Sequence, residues 1–163
     1  MDLPGSGYLY TLATLAMTFV GFCAVVFVLR QGKTKKSSGV HILHSHGYLE
    51  IALGAVAAAM LPPLLAVCGL SELHAWQWSS AIIAALLAAH TWYILRRFYE
   101  INRWQIPVHV WANQAITALV IVALIGNVFG VPSKPGVGPI AVAATWRLIM
   151  SIEVFLLTLE EFL

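Results

Sequence analysis

Trp76–Leu95 reads WQWSSAIIAALLAAHTWYIL, and Arg96 and Arg97 follow at once. The stretch holds no Lys, Arg, Asp or Glu. About 20 predominantly apolar residues, wound as a helix, cross the ~30 Å hydrocarbon core of a bilayer. Nothing in lipid can pair an exposed peptide group, so such a stretch must be helical. The stretch is predicted to be a membrane-spanning helix with a basic end.

Outward from it the pattern recurs on both sides. Further spans are predicted at about Tyr8–Leu29, Tyr48–Leu70, Val108–Phe129 and Ile140–Leu159. The whole chain agrees: 60% of its 163 residues are hydrophobic and 10% charged. A soluble domain carries roughly 25% charged residues, so this chain cannot clothe itself for water. The fold class predicted is an all-α polytopic bundle of five transmembrane helices, forming a single transmembrane domain over 1–163. Val131–Pro139, VPSKPGVGP, breaks the last two helices apart. Pro62–Pro63 lie inside the second span, where each removes a backbone donor, and they should kink it. The first span is too long for a cleaved leader, and its positive charge follows the apolar run.

Charge sets the expected orientation. Arg30, Lys33, Lys35 and Lys36 follow the first span; Arg96, Arg97 and Arg103 follow the third. Short basic loops stay in the cytoplasm, which places the N-terminus outside and the C-terminus inside. Tyr8, Tyr10, Trp76 and Trp78 then fall at the outer interface, and Tyr48, Trp92, Tyr93, Tyr99, Trp104 and Trp111 at the inner one. The basic runs read as topological signals, with no nucleic-acid partner implied.

Lipid tails give helices no hydrophobic reason to associate, so small residues mark packing faces. Ser80, Ala84 and Ala88 form one in the third span, with Ala81, Ala85 and Ala89 beside them. Thr14, Thr18 and Gly21 form one in the first. Gly47, Gly54 and Ala57–Ala59 form one in the second. So thin a bundle is expected to form a homo-oligomer within the lipid bilayer. Cys23 and Cys68 are expected at opposite sides as buried small residues, not as a disulfide.

Ionisable groups at membrane depth cost roughly 2.5–3.5 kcal/mol each on insertion scales, so each needs a partner or a wet cavity. Glu153 and Glu160 share one face of the fifth span; Arg147, Ser151 and Thr158 share another. Arg147 is long enough to snorkel outward. Glu50, His90, Asn113 and Glu153 are expected to form one polar cluster in the inner half, with Gln114 adjacent to Asn113 and with His46 and His109 at its mouth. Three readings follow. The groups fix helix register within an assembly or interaction subunit. They line an ion-permeation path, with stacked acidic rings if subunits surround an axis. Or His41, His44 and His46, spaced H-x-x-H-x-H, join His109 to hold haem or a metal ion. The permeation path leads. No phosphate-binding glycine loop, H-E-x-x-H or G-x-S-x-G pattern is present, and nothing points to an enzyme beyond the His/Glu groups.

Leu12–Gly21, LATLAMTFVG, and Leu61–Leu65, LPPLL, resemble a group of small bacterial membrane proteins of uncharacterised function. The resemblance covers the first two spans best; later spans are similar in hydropathy alone. It implies a bacterial inner membrane and carries no activity with it.

Overall fold

A computed structural model describes residues 3–31, 39–102, 108–131 and 134–160, with backbone alone at 27, 30, 31, 39–46, 98, 99, 101, 102, 109 and 160. The described residues are helical, without strands. Five helices follow in order: α1 (Ser6–Gln31), α2 (Gly39–Val67), α3 (Glu72–Asn102), α4 (Val108–Phe129) and α5 (Val137–Glu160). Each contains a segment long and apolar enough to cross a membrane: Ser6–Val26, Gly47–Val67, Glu72–Arg97, Val110–Phe129 and Val137–Leu159. The protein thus has the make-up of a multi-pass membrane protein.

The ends of the helices follow local chemistry. Gly69 takes φ 94° and closes α2: its N–H donates to Ala66 O, and the Leu70 N–H donates to Leu65 O at 3.2 Å. This double closure satisfies carbonyls that the helix end would otherwise leave bare, and the left-handed backbone it needs suits glycine. Gly130, φ 71°, closes α4 likewise, with the Val131 N–H donating to Gly126 O at 2.9 Å. Pro139 is tolerated because it sits in the first turn of α5, where backbone donors have no helical partner anyway. Pro62 and Pro63 lie inside α2, which continues past both to Val67.

The chain forms two compact units. One comprises Met1–Pro4 and Leu61–Ala143; the other comprises Gly5–Met60 and Ala144–Leu163. In the first, α3 packs against α4. Gln77 Nε2 donates to Val128 O, and Asn127 Nδ2 donates to Ser80 Oγ, so the start of α3 meets the end of α4 and the two are antiparallel. In the second, Tyr8 OH lies 3.5 Å from Thr145 Oγ1, and Phe19 and Phe22 meet Phe155. Contacts rise together along both chains, so α1 and α5 are parallel.

Several sequence expectations change at the level of faces. Thr14, Thr18 and Gly21 are exposed, and α1 instead buries Leu9, Leu12, Ala13, Ala16 and Cys23. Those threonines satisfy their own hydroxyls: Thr14 Oγ1 donates to Tyr10 O and Thr18 Oγ1 to Thr14 O. On α3, Ser80 and Ala84 are buried as expected, but Ala85, Ala88 and Ala89 are exposed, and Ser79, Ile83 and Leu87 complete the inner face. Trp76 and Tyr48 are core residues, 1% and 3% exposed, where an interfacial belt was expected. Cys68 is exposed in the turn after α2, while Cys23 is buried; both are free thiols.

Gly126 shows how tight the closing turn of α4 is. A Cβ there would lie 2.7 Å from the Val131 carbonyl oxygen, which is backbone and cannot swing aside. Gly126→Ala should therefore destabilise the protein by about 1–3 kcal/mol, the usual range for overpacking. Gly138→Ala, where a Cβ meets open space, should change little. Unfolding in mixed detergent micelles separates the two; equal midpoints would show that the turn yields.

Candidate functional site

Within the unit of Gly5–Met60 and Ala144–Leu163, one face of α5 does most of the packing. Ala144, Ser151, Phe155 and Thr158 are buried on it, and Arg147 is half-buried. Their three- and four-residue spacing repeats the helical turn. Phe155 is held edge-on by three rings: Phe19 at 5.6 Å, Phe22 at 5.9 Å and Tyr48 at 5.4 Å between centroids. Edge-to-face geometry sets the positive rim of one ring against the negative face of another. Cys23 fills the space beside Tyr48 and Phe155.

One turn back along α5, Ser151 Oγ donates to the Tyr48 carbonyl at 2.6 Å. One more turn back comes Arg147. Its guanidinium lies on the backbone of α2 at Gly54. A Cβ at Gly54 would stand 3.0 Å from both Cζ and Nε, and closer still to Nη2. A side chain at position 54 would push the guanidinium off that seat. Position 48 therefore faces 151 while position 54 faces 147, so α2 and α5 run antiparallel.

Glu50 precedes Gly54 by one turn of α2 and acts electrostatically on the Arg147 guanidinium. Glu50 itself is exposed, although it lies inside the Gly47–Val67 span. Arg147 sits near the middle of Val137–Leu159. An unpaired charge at that depth is costly, and a nearby opposite charge offsets part of the cost. The seat at Gly54 accounts for Arg147 directly. Its guanidinium is taken up by α2, and snorkelling is not required.

The other expected polar residues divide by unit. Glu153 belongs with Glu50 and Arg147; His90, Asn113 and Gln114 belong to Leu61–Ala143. His90, Asn113 and Glu153 are half-buried and engaged by neighbours. On α3 and α4 the pairing of Ser80 with Asn127 sets the register. Eleven residues on, it puts His90 and Thr91 level with 115–117. Gln114 Oε1 and Thr91 Oγ1 are buried there without a hydrogen-bond partner, whereas Thr117 Oγ1 donates to Asn113 O at 2.8 Å. The side chains of His41, His44, His46, His109 and Glu160 lie outside the described residues. Among the described residues no three His, Cys, Asp or Glu side chains gather as metal ligands.

Asn127 was not singled out by sequence, and it organises the opposite end of α3 and α4. It is 5% exposed. Its Nδ2 donates to Ser80 Oγ at 2.8 Å and to Gly136 O at 3.1 Å, while its Oδ1 accepts from Gly136 N at 3.0 Å. One amide thus clasps both backbone polar groups of Gly136 in the α4–α5 connection. A lone amide one turn before a helix-closing glycine, in IGNVFG, was the available signal.

No protein-family model matches the chain, and no curated protein or solved structure matches it either.

The clasp makes a sharp prediction. Asn127→Ala strands the Gly136 N–H and carbonyl and leaves Ser80 without this donor, at roughly 1–3 kcal/mol per buried unpaired group. The variant should lose about 3 kcal/mol in reversible unfolding. A loss below about 0.5 kcal/mol would show that water already serves these groups.

Proposed function

We propose that this protein is an oligomeric membrane protein of the bacterial inner membrane that lines an ion-permeation path with its inner-half polar residues. The observation that carries the reading is Glu50: a carboxylate inside a membrane span, exposed on the surface of the single chain. A charge placed so must face water, another subunit or the headgroup layer, and a wet path between subunits supplies the first two together. Its companions support the same reading. Arg147 and Glu153 lie in the same unit, giving two acids to one base within the apolar spans. An acidic excess at depth favours cations. His90, Asn113 and Gln114 add polar surface on α3 and α4, and Glu160 would extend the acidic face of α5.

The orientation proposed is N-terminus outside and C-terminus cytoplasmic, from the seven basic residues that follow the first and third spans. The exposed face of α1 supports an oligomer. Gly7, Thr11, Thr14, Thr18 and Gly21 follow one another along it, and a Cβ at Gly7 or Gly21 would meet nothing within 4 Å. Because the threonine hydroxyls bond their own helix, this surface is small and already satisfied, suited to another helix. The same face equally favours a second reading, a non-catalytic assembly subunit whose polar groups set register.

Purified protein in liposomes under a potassium gradient distinguishes the two. Permeation predicts a flux that falls at least tenfold in Glu50→Gln and Glu153→Gln while the oligomer survives in mild detergent. A monomer, or a flux the two substitutions leave unchanged, would overturn it; a stable co-purifying partner with no flux favours assembly.

A further inference from the structure

We infer that the end of α3 that carries Tyr93 and Arg97 binds the phosphate of an anionic phospholipid headgroup. The inference stands apart from permeation and does not need it. Tyr93, Arg96, Arg97 and Glu100 recur at three- and four-residue spacing, so they share one face of α3. It is not the face that Ile83, Ala84 and Leu87 bury. Arg97 is also the last residue of the apolar segment Glu72–Arg97, so this face stands where a span gives way to headgroups.

The two arginines on it differ. Arg96 Nε donates to Glu100 Oε1 at 2.9 Å, so its charge is answered on the helix surface. Arg97 has an aromatic ring where Arg96 has an acid. Its Nη1 donates to the Tyr93 hydroxyl at 2.9 Å, and its Cζ lies 5.8 Å from the Tyr93 ring centroid. Among the described residues no carboxylate pairs with it. A ring contact of that length holds a guanidinium in place without neutralising it. One of its five N–H donors is spent on Tyr93, and the planar fork keeps the geometry that matches two phosphate oxygens. The Tyr93 hydroxyl accepts from Arg97 and keeps its own hydrogen to donate beside it. Trp92 is exposed next to Tyr93, and Trp111 is exposed on α4. Extending the pairing of Ser80 with Asn127 by sixteen residues brings Trp111 level with Arg96. Indoles favour the headgroup level, where one end is apolar and the other wet. A held cation without an acid, a hydroxyl donor beside it and flanking indoles suit a lipid phosphate of net negative charge. A zwitterionic lipid suits them less well, because it brings a cation of its own.

Native mass spectrometry of the full chain in detergent tests this, with phosphatidylglycerol and phosphatidylcholine of matched acyl chains added in equal amounts. The wild type should retain the glycerol lipid over the choline lipid by about fivefold, the size that one basic residue contributes at an anionic surface. Arg97→Gln should abolish the preference. Arg97→Lys keeps the charge, loses the fork and should lose most of the preference. Tyr93→Phe keeps the ring and the charge and should lose about threefold, the weight of one hydrogen bond. Arg96→Gln combined with Glu100→Gln removes a neutral pair and should change the ratio by less than about twofold, since an exposed pair contributes little. A preference that survives Arg97→Gln would overturn the inference. So would one that Arg97→Lys and Tyr93→Phe both leave intact, which would reduce it to general attraction between charges. Displacement of the lipid by inorganic phosphate at equal concentration would make this a site for the free ion instead. An oligomer that Arg97→Gln splits, with the retained lipids unchanged, would make it a subunit contact; either result overturns the lipid assignment.

Discussion

A guanidinium near the middle of an apolar helix is the constraint around which this structure is arranged. A charge at the depth of a hydrocarbon core is costly, so Arg147 needs its charge answered and its bulk accommodated by the chain itself. Gly54 supplies room and Glu50 supplies the opposite sign. Both come from α2, and that fixes which face of α2 meets α5 and in what register. Ser151 bonding the Tyr48 carbonyl and Phe155 ringed by aromatics continue the same register for two more turns. The buried face of α5 is therefore polar at its middle and aromatic toward its end. α1 joins through Phe19 and Phe22, and its own hydroxyls stay folded onto its backbone.

The chain handles polar groups in two contrasting ways. At the α4–α5 connection, Asn127 meets every requirement locally: its donor and acceptor are both matched by Gly136 and Ser80. Such a clasp fixes a turn and invites nothing else. Farther along α3 and α4, Gln114 and Thr91 bury oxygens without a hydrogen-bond partner, and so does Ser79 beside the clasp itself. Unmet polar groups are expensive in a low-dielectric setting, so they concentrate where something further is bound or admitted.

How far the sequence could be read follows the same physics. The number of span-like helices was legible because hydropathy acts over about 20 residues, and a long charge-free run such as Trp76–Leu95 has one physical outcome. Helix ends were less so: the second span was read through Gly69 to Leu70, whereas α2 ends at Val67 with Gly69 in the closing turn. Faces were less so. Small residues mark a surface that a helix can approach, but they do not say whether the neighbour lies in the same chain; Thr14, Thr18 and Gly21 proved exposed for that reason. Trp76 and Tyr48 read as interfacial because aromatics often are, yet both are buried in the core, Tyr48 against the Phe155 ring. Arg147 was visible as a costly charge, but its seat was not. That Gly54 makes the room depends on the register of α2 against α5, which no local pattern encodes. Asn127 escaped notice because a single amide carries no spacing signal.

The central claim, that Arg147 and Glu50 answer one another across α2 and α5, is tested most directly by a double-mutant cycle. Glu50→Gln, Arg147→Gln and the double variant are unfolded reversibly in mixed micelles without potassium. The account predicts a coupling energy of roughly 1–2 kcal/mol between the two sites, with the double variant less impaired than the sum of the single ones. Strict additivity, within about 0.3 kcal/mol, would mean the charges ignore each other and would contradict it.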